Sequence, residues 1–380
     1  MEAYLDHAAT TPINPAALRA QVEATELVGN PSGSHRMARV AKSLLESSRE
    51  DVAALLGVTA YDVIFTSGGT EADNLAIFGT TSAGKVAITS AIEHHAVLES
   101  MNAIGGRVVG VTASGGVDLD ELESVLKSES ERVAIVSVMM ANNETGVIQP
   151  LAEVRELVKR HSPSALLHTD AVQAPSYLDV AGLASGFDLV SISGHKFGGP
   201  KGIGVLVARK AASLKAMFHG GGQERELRSG TPNLAGAAAM AAALRDAVEG
   251  RKGTVERVGR LTEKLRAGLF ANVAGVVPNG AESPQMCNIS NYCFDGLNSE
   301  EILFLLDSRG VYASAGSSCA SGALNPSHVL MAMGKSESQA SGSLRLSLGV
   351  TTTEAEVNYA IDVISDVVIE LSRKKGVSWI

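Results

Sequence analysis

Between Val63 and Ser193 the chain alternates short, unbroken apolar runs with stretches of helical spacing, and this rhythm restricts the possible folds more than any other feature. The runs cover residues 63–66, 85–90, 107–111, 133–140, 165–171 and 189–193, with helical patterns such as Leu151–His161 between them. Strands that are apolar on both faces and joined by helices form a mostly parallel sheet covered on both sides. The pattern therefore predicts an α/β fold. Ligands of such sheets lie beyond the carboxyl ends of the strands. That rule gathers five loops around one cleft: residues 67–74, 93–95, 142–145, 170–173 and 193–196.

The flanks complete the organisation. Residues 4–12, YLDHAATTP, read as an extended segment ended by proline, and Asn14-Pro15 as the start of a helix. Helical spacing follows over residues 41–56, with Gly57 placed to end it. The alternation stops near Gly230; an alanine-rich helix over 235–249 and a charged one over 255–270 come next. Apparent strands (286–294, 344–348) then mix with helices (299–308, 353–371) in what reads as a smaller α+β domain. We expect a large domain over residues 15–254 and a small one formed by 1–14 and 255–380, in keeping with 380 residues in all.

A formal charge of −9 argues against a general binder of nucleic acid or anionic membranes. No apolar run approaches the ~20 residues of a membrane span, and no leader opens the chain, so a soluble, cytoplasmic protein is expected. Three cysteines, Cys287, Cys293 and Cys319, are too few for a disulfide framework and lack the paired spacing of a zinc site; no metal is expected.

Several loop residues carry chemistry. Lys196, in SGHKFGGPKG, sits just past a buried strand, where desolvation suits an amine to act as nucleophile and base; Lys201 satisfies the same criterion. The segment SGGTEADN at 67–74 sits between strand and helix, so Gly68, Gly69 and Thr70 can face an anion such as phosphate; it matches neither the P-loop nor the dinucleotide fingerprint. A carboxylate at a strand end, Asp170, needs a cationic partner: the pyridinium of pyridoxal phosphate or an arginine. His94, also just past a strand, can stack on a flat ring. Cys319 lies in a small-residue polar stretch over 313–328 and reads as an available thiol, whereas Cys287 and Cys293 flank apolar residues of a strand.

Taken in order, SGGTEADN, IEHHA, ANNETGVIQP, HTDAVQ, SGHKFGGPKGIG, RSGTPN, SSCASG and SLRLSLG resemble the cysteine desulfurases of aminotransferase class V, over nearly the whole chain. The serine-rich cysteine loop followed by NPSHVL is similar to that of the group I enzymes of nitrogenase and iron–sulfur assembly. The resemblance implies the fold type I of pyridoxal phosphate-dependent transferases, with that cofactor and a homodimer. It implies Lys196 as the Schiff-base lysine, His94 stacked on the ring, Asp170 on the pyridinium nitrogen and Gln173 on the phenolic oxygen. Gly69, Thr70, Ser193 and His195 would hold the phosphate, with Thr231 reaching the partner subunit's phosphate. Asn143 and Arg345 would hold the carboxylate of L-cysteine, and Cys319 would take its sulfur as a persulfide for an acceptor protein. A selenocysteine lyase, or another lyase or aminotransferase with this cofactor, would need Lys196 and Asp170 but not Cys319.

Overall fold

The computed structural model describes residues 1–209, 214–316 and 326–377. The chain opens with β1 (Ala3–Tyr4), α1 (Pro15–Thr25) and α2 (Arg36–Leu56). The alternating part follows as β2 (Val63–Thr66), α3 (Gly69–Thr80), β3 (Val86–Ser90), α4 (His95–Ile104), β4 (Arg107–Val109), α5 (Leu119–Glu129) and β5 (Val133–Ser137). It continues through α6 (Leu151–His161), β6 (Leu166–Asp170), α7 (Val180–Leu183), β7 (Leu189–Ser193) and β8 (Gly204–Ala208). The long α8 (Leu234–Asn272) leads to β9 (Ile289–Cys293), α9 (Ser299–Ser308), β10 (Val311–Tyr312), α10 (His328–Ala332), α11 (Glu337–Ser341), β11 (Ser343–Ser347) and α12 (Glu354–Lys375).

Seven strands form one sheet in the order β2-β8-β7-β6-β5-β3-β4. Only β8 runs antiparallel to its neighbours, so the mostly parallel α/β sheet expected from the alternation is what forms. Its two faces show in the core. Val63, Phe65, Val205 and Val207 pack with α1, α2 and the first half of α8, whereas Ile64 and Leu206 face α3 and α4. This is the period of two that a pleated strand imposes. A third core joins Leu5, the second half of α8 (Val258, Leu265, Leu269), Leu344 and Leu346 of β11, and Ile364 of α12. In this part β11 pairs antiparallel with β9, and β1 parallel with β10.

Two expectations need correction. The helices read at 235–249 and 255–270 are one continuous α8 of 39 residues. Gly250 and Gly253, which lie between the two stretches, face open space. A helical glycine costs only about 1 kcal/mol relative to alanine, and here both halves of the helix are anchored in a core. The strand read at 133–140 ends at Ser137, although Val138 and Met140 still donate to His168 and Asp170 carbonyls.

Candidate active site

Strands β2, β3, β5, β6 and β7 all run the same way, because β8 is antiparallel to both β2 and β7 and so returns β2 to the common direction. Their carboxyl ends share one edge. There a cavity of about 280 Å³ is lined by Gly69, Thr70, His94, Asn143, Asp170, Gln173, Ser193, His195, Lys196 and, from β11, Arg345. Thr231 is exposed and is not part of that lining. Cys319 lies outside the described residues, but Gly316, three positions before it, is on the cavity wall.

Lys196 ends the 3-10 turn Gly194–Lys196 that follows β7. A side chain at Gly194 would stand 3.0 Å from Ile203 Cγ2 and 3.1 Å from the Pro200 carbonyl, so the turn is tight because glycine allows it. The Lys196 Nζ donates to the carbonyls of Ala8 (2.6 Å) and Ala9 (2.8 Å). Gln173 Nε2 donates to the same Ala8 oxygen (2.9 Å). The opening segment, read only as extended, is thus the floor of the site.

Asp170 ends β6 and is 6% exposed; its Oδ1 accepts from the Val172 N–H (2.8 Å). Burial pushes it up to about 6, against the opposing pull of that N–H and of Lys196. Behind it lies Asp73, fully buried, raised well above the carboxylate range by burial and then by the charge of Asp170. Two buried carboxylates this close oppose each other's ionisation, and the upward push is felt by Asp73. His168 Nε2 stands 3.6 Å from Asp73 Oδ1, but burial holds this imidazole down to about 3, and no ion pair forms. The neutral ring instead bonds Ser137 Oγ (2.8 Å) and Ser191 Oγ (3.0 Å).

His94 caps α4, its Nδ1 accepting from the Ala96 N–H (3.1 Å). Burial first, then Lys196, His95 and His328, lower it to about 4. The ring is neutral and, with Nδ1 accepting, carries its proton on Nε2. At the start of α3 the cap residue is Gly68, with no side chain to satisfy the first-turn N–H groups. A Cβ on Gly69 would lie 2.7 Å from Val172 Cγ2, so the backbone here is bare and closely packed. Glu71, in that first turn, would repel an anion, but Arg228 Nε (2.8 Å) and the Ser67 N–H (2.8 Å) occupy its carboxylate. Ser193 and His195 close the other side; burial and then Lys196 lower His195 to about 4, and its Nδ1 meets Thr10 Oγ1 at 3.2 Å.

Arg345 is 2% exposed, with Nη2 on Asp6 Oδ1 (2.7 Å) and Nη1 on the Asn143 carbonyl (3.1 Å). Its Nε has no partner among the described residues. Asp6, Asp73, Glu144, His328 and the Ala8 and Ala9 carbonyls were not singled out from the sequence. Asp73, Glu144 and His328 stand inside the quoted motifs SGGTEADN, ANNETGVIQP and NPSHVL, the one signal that would have drawn attention to them. The other two thiols are poor nucleophiles: burial pushes Cys287 up to about 11 and raises Cys293 as well.

The residues present fit pyridoxal phosphate. A buried carboxylate at the mouth of the sheet suits a pyridinium nitrogen, and Lys196 lies in the same cavity. The uncapped start of α3 with Ser193 and His195 suits a phosphate. Asp170 would hold the ring nitrogen, Lys196 the carbonyl carbon, His94 a ring face, and Gly69, Thr70, Ser193 and His195 the phosphate.

Residues 3–359 match the family model described as aminotransferase class-V. The chain is 42% identical over 385 residues to the IscS-like cysteine desulfurase of Mycobacterium tuberculosis, covering 98% of this chain and 97% of the relative. It is 38% identical to the cysteine desulfurase IscS of Methanosarcina thermophila, covering 97% and 92%. Among solved structures, a NifS-like protein superposes with a TM-score of 0.89 at 35% identity, over 98% of this chain and all of the other. SspA, solved in complex with cysteine, superposes with a TM-score of 0.80 at 30% identity, over 92% of this chain and all of the other. Enzymes of this family are pyridoxal phosphate-dependent. The site at the carboxyl edge of this sheet and the full-length similarity agree, and the chain belongs to the cysteine desulfurases of the class-V aminotransferase family.

Proposed function

We propose that this protein converts L-cysteine to L-alanine and keeps the sulfur as a persulfide on Cys319. The observation that carries the reading is a single cavity lined by Lys196, Asp170, His94 and Arg345, with Gly316 on its wall. Covalent geometry alone keeps the Cys319 Cα within ~11 Å of the Gly316 Cα. When bound, pyridoxal phosphate supplies the electron sink that labilises the bonds at the substrate Cα and, from there, the C–S bond.

The protein's own groups do the rest. Arg345, with its neighbour Asn143, would grip the substrate carboxylate and orient the substrate in the cavity. The Lys196 amine would take the Cα proton. Asp170, as a carboxylate, would hold the ring nitrogen, which a protonated carboxyl could not do. His94, neutral and protonated at Nε2, donates without adding charge. Cys319 gives up its thiol proton and its sulfur attacks the substrate sulfur; the C–S bond breaks and the Cβ carbon takes a proton. The sum is cysteine plus enzyme thiol to alanine plus enzyme persulfide, with atoms balanced.

The reading extends to a homodimer in which the exposed Thr231 contacts the partner's phosphate, and to an acceptor protein that removes the sulfur for iron–sulfur cluster, thio-cofactor or tRNA synthesis. It also places the protein in the cytoplasm, where thiols stay reduced. Among the described residues no helix is long and apolar enough to cross a membrane.

The test is intact-protein mass spectrometry after brief incubation with L-cysteine, with alanine quantified, for native protein and Cys319→Ala. A sulfur adduct on native protein alone, with alanine lost in the variant, is expected. Equal alanine from the variant, or pyruvate as product, would sink the reading.

A further inference from the structure

Glu144 is a buried carboxylate, 2% exposed, on the cavity wall beside Asn143. Its place is fixed by the turn it belongs to: Asn142 Oδ1 accepts from the N–H groups of Glu144 and Thr145, both at 2.9 Å. Two stretches of chain far from it in sequence meet at this carboxylate, and they are the two flanks of the Cys319 segment. On the carboxyl-terminal flank Ser327 Oγ donates to Glu144 Oε2, while also accepting from the Leu330 N–H (3.2 Å) to cap α10. On the amino-terminal flank Gly316 lies against the same oxygen, so closely that a Cβ would stand 2.1 Å from it. Two residues earlier, Ser314 and Arg345 exchange backbone hydrogen bonds of 2.7 and 3.3 Å. Arg345 in turn donates to the Asn143 carbonyl.

We infer that Glu144 is a positioning residue for sulfur transfer. It ties both flanks of the Cys319 segment to the wall from which Arg345 and Asn143 hold the substrate carboxylate. The inference rests on Cys319 being the nucleophile. Holding both ends of a chain segment reduces the conformations it must search, and a thiol presented to a substrate held on the same wall gains from that proximity. A carboxylate is suited to this place because it accepts from Ser327 while leaving room only for glycine at 316. The mechanism above makes no use of Glu144 as acid or base; its effect is on where the nucleophile is delivered.

The experiment uses the holoenzyme in single turnover with excess L-cysteine. Two readings are taken: the absorbance change on substrate binding, and the rate of persulfide formation by quenched intact-mass analysis. Glu144→Ala removes the acceptor for Ser327 and is expected to slow persulfide formation about tenfold, the size of one lost buried hydrogen bond. The binding change should stay within about twofold of native by the same reckoning. Glu144→Gln keeps an oxygen acceptor and is expected to recover most of the rate. Should Glu144→Ala fail to fold, Gly316→Ala disturbs the same contact from the other flank and is expected to slow the same step. Native-rate persulfide formation in Glu144→Ala, or equal loss of binding and transfer, overturns the inference. Failure of the underlying reading is seen separately, as alanine release by Cys319→Ala at the native rate.

Discussion

Glu93 precedes His94 of the cavity wall and joins two loops of the site: its Oε1 accepts from Ser90 Oγ (2.5 Å) and from the Met139 N–H (2.9 Å). Its Oε2 is buried with no partner among the described residues. Burial, against the pull of those two donors, pushes its carboxyl up to about 8 from an ordinary 4.5. The sign follows from linkage. A carboxyl with a raised native pKa binds its proton more tightly in the folded state, so stability falls as pH rises from the unfolded value toward 8 and is flat above it. The slope attributable to this residue is about 1.4 kcal/mol per pH unit, and the whole ramp amounts to roughly 5 kcal/mol as an upper bound. Glu93→Gln has the same shape and no proton to lose. Urea unfolding of apoprotein and variant at pH 5.5, 6.5 and 7.5 should therefore show the variant gaining on the native chain by about 1 kcal/mol or more per pH unit. Parallel stability curves across this window would refute the claim that Glu93 is protonated at neutral pH.

Arg345→Lys cannot reproduce the fork that spans Asp6 and the Asn143 carbonyl, so KM for L-cysteine should rise at least about tenfold with a smaller change in kcat, measured by alanine release. Far from the site, Arg49 is 5% exposed and bonds Glu224 twice at 2.7 Å and the Val63 carbonyl at 2.9 Å, over the ring of Phe65. Arg49→Met strands the Glu224 carboxylate and should destabilise by about 3–5 kcal/mol in thermal or urea unfolding, with alanine release per folded molecule unchanged.

The sheet and the set of loops that face its cleft were legible in the chain's local pattern. Each strand is a local apolar run, and side-chain alternation, which needs only neighbours along the chain, sends Val63 to one core and Ile64 to the other. Each cleft residue ends its strand or lies in the loop that follows it, so the rule that ligands lie at carboxyl edges gathers Gly69, His94, Asn143, Asp170 and Lys196 without knowledge of strand order. Helix ends were legible where a cap residue marks them, as with Asn14 and Gly57, and misread where glycine faced solvent within a helix held at both ends, as in α8. What each reactive group leans on is set by contacts between distant parts of the chain. Lys196 rests on the carbonyls of Ala8 and Ala9, 188 and 187 residues away; Arg345 pairs with Asp6 across 339 residues, and Glu144 meets Ser327 across 183. Carbonyl acceptors carry no side-chain signature, and a pairing between distant residues is set by how the sheet and the second core dock, not by local pattern. The ionisation of Asp73, Glu93 and Asp170 belongs to the same class, since burial and mutual charge act through space.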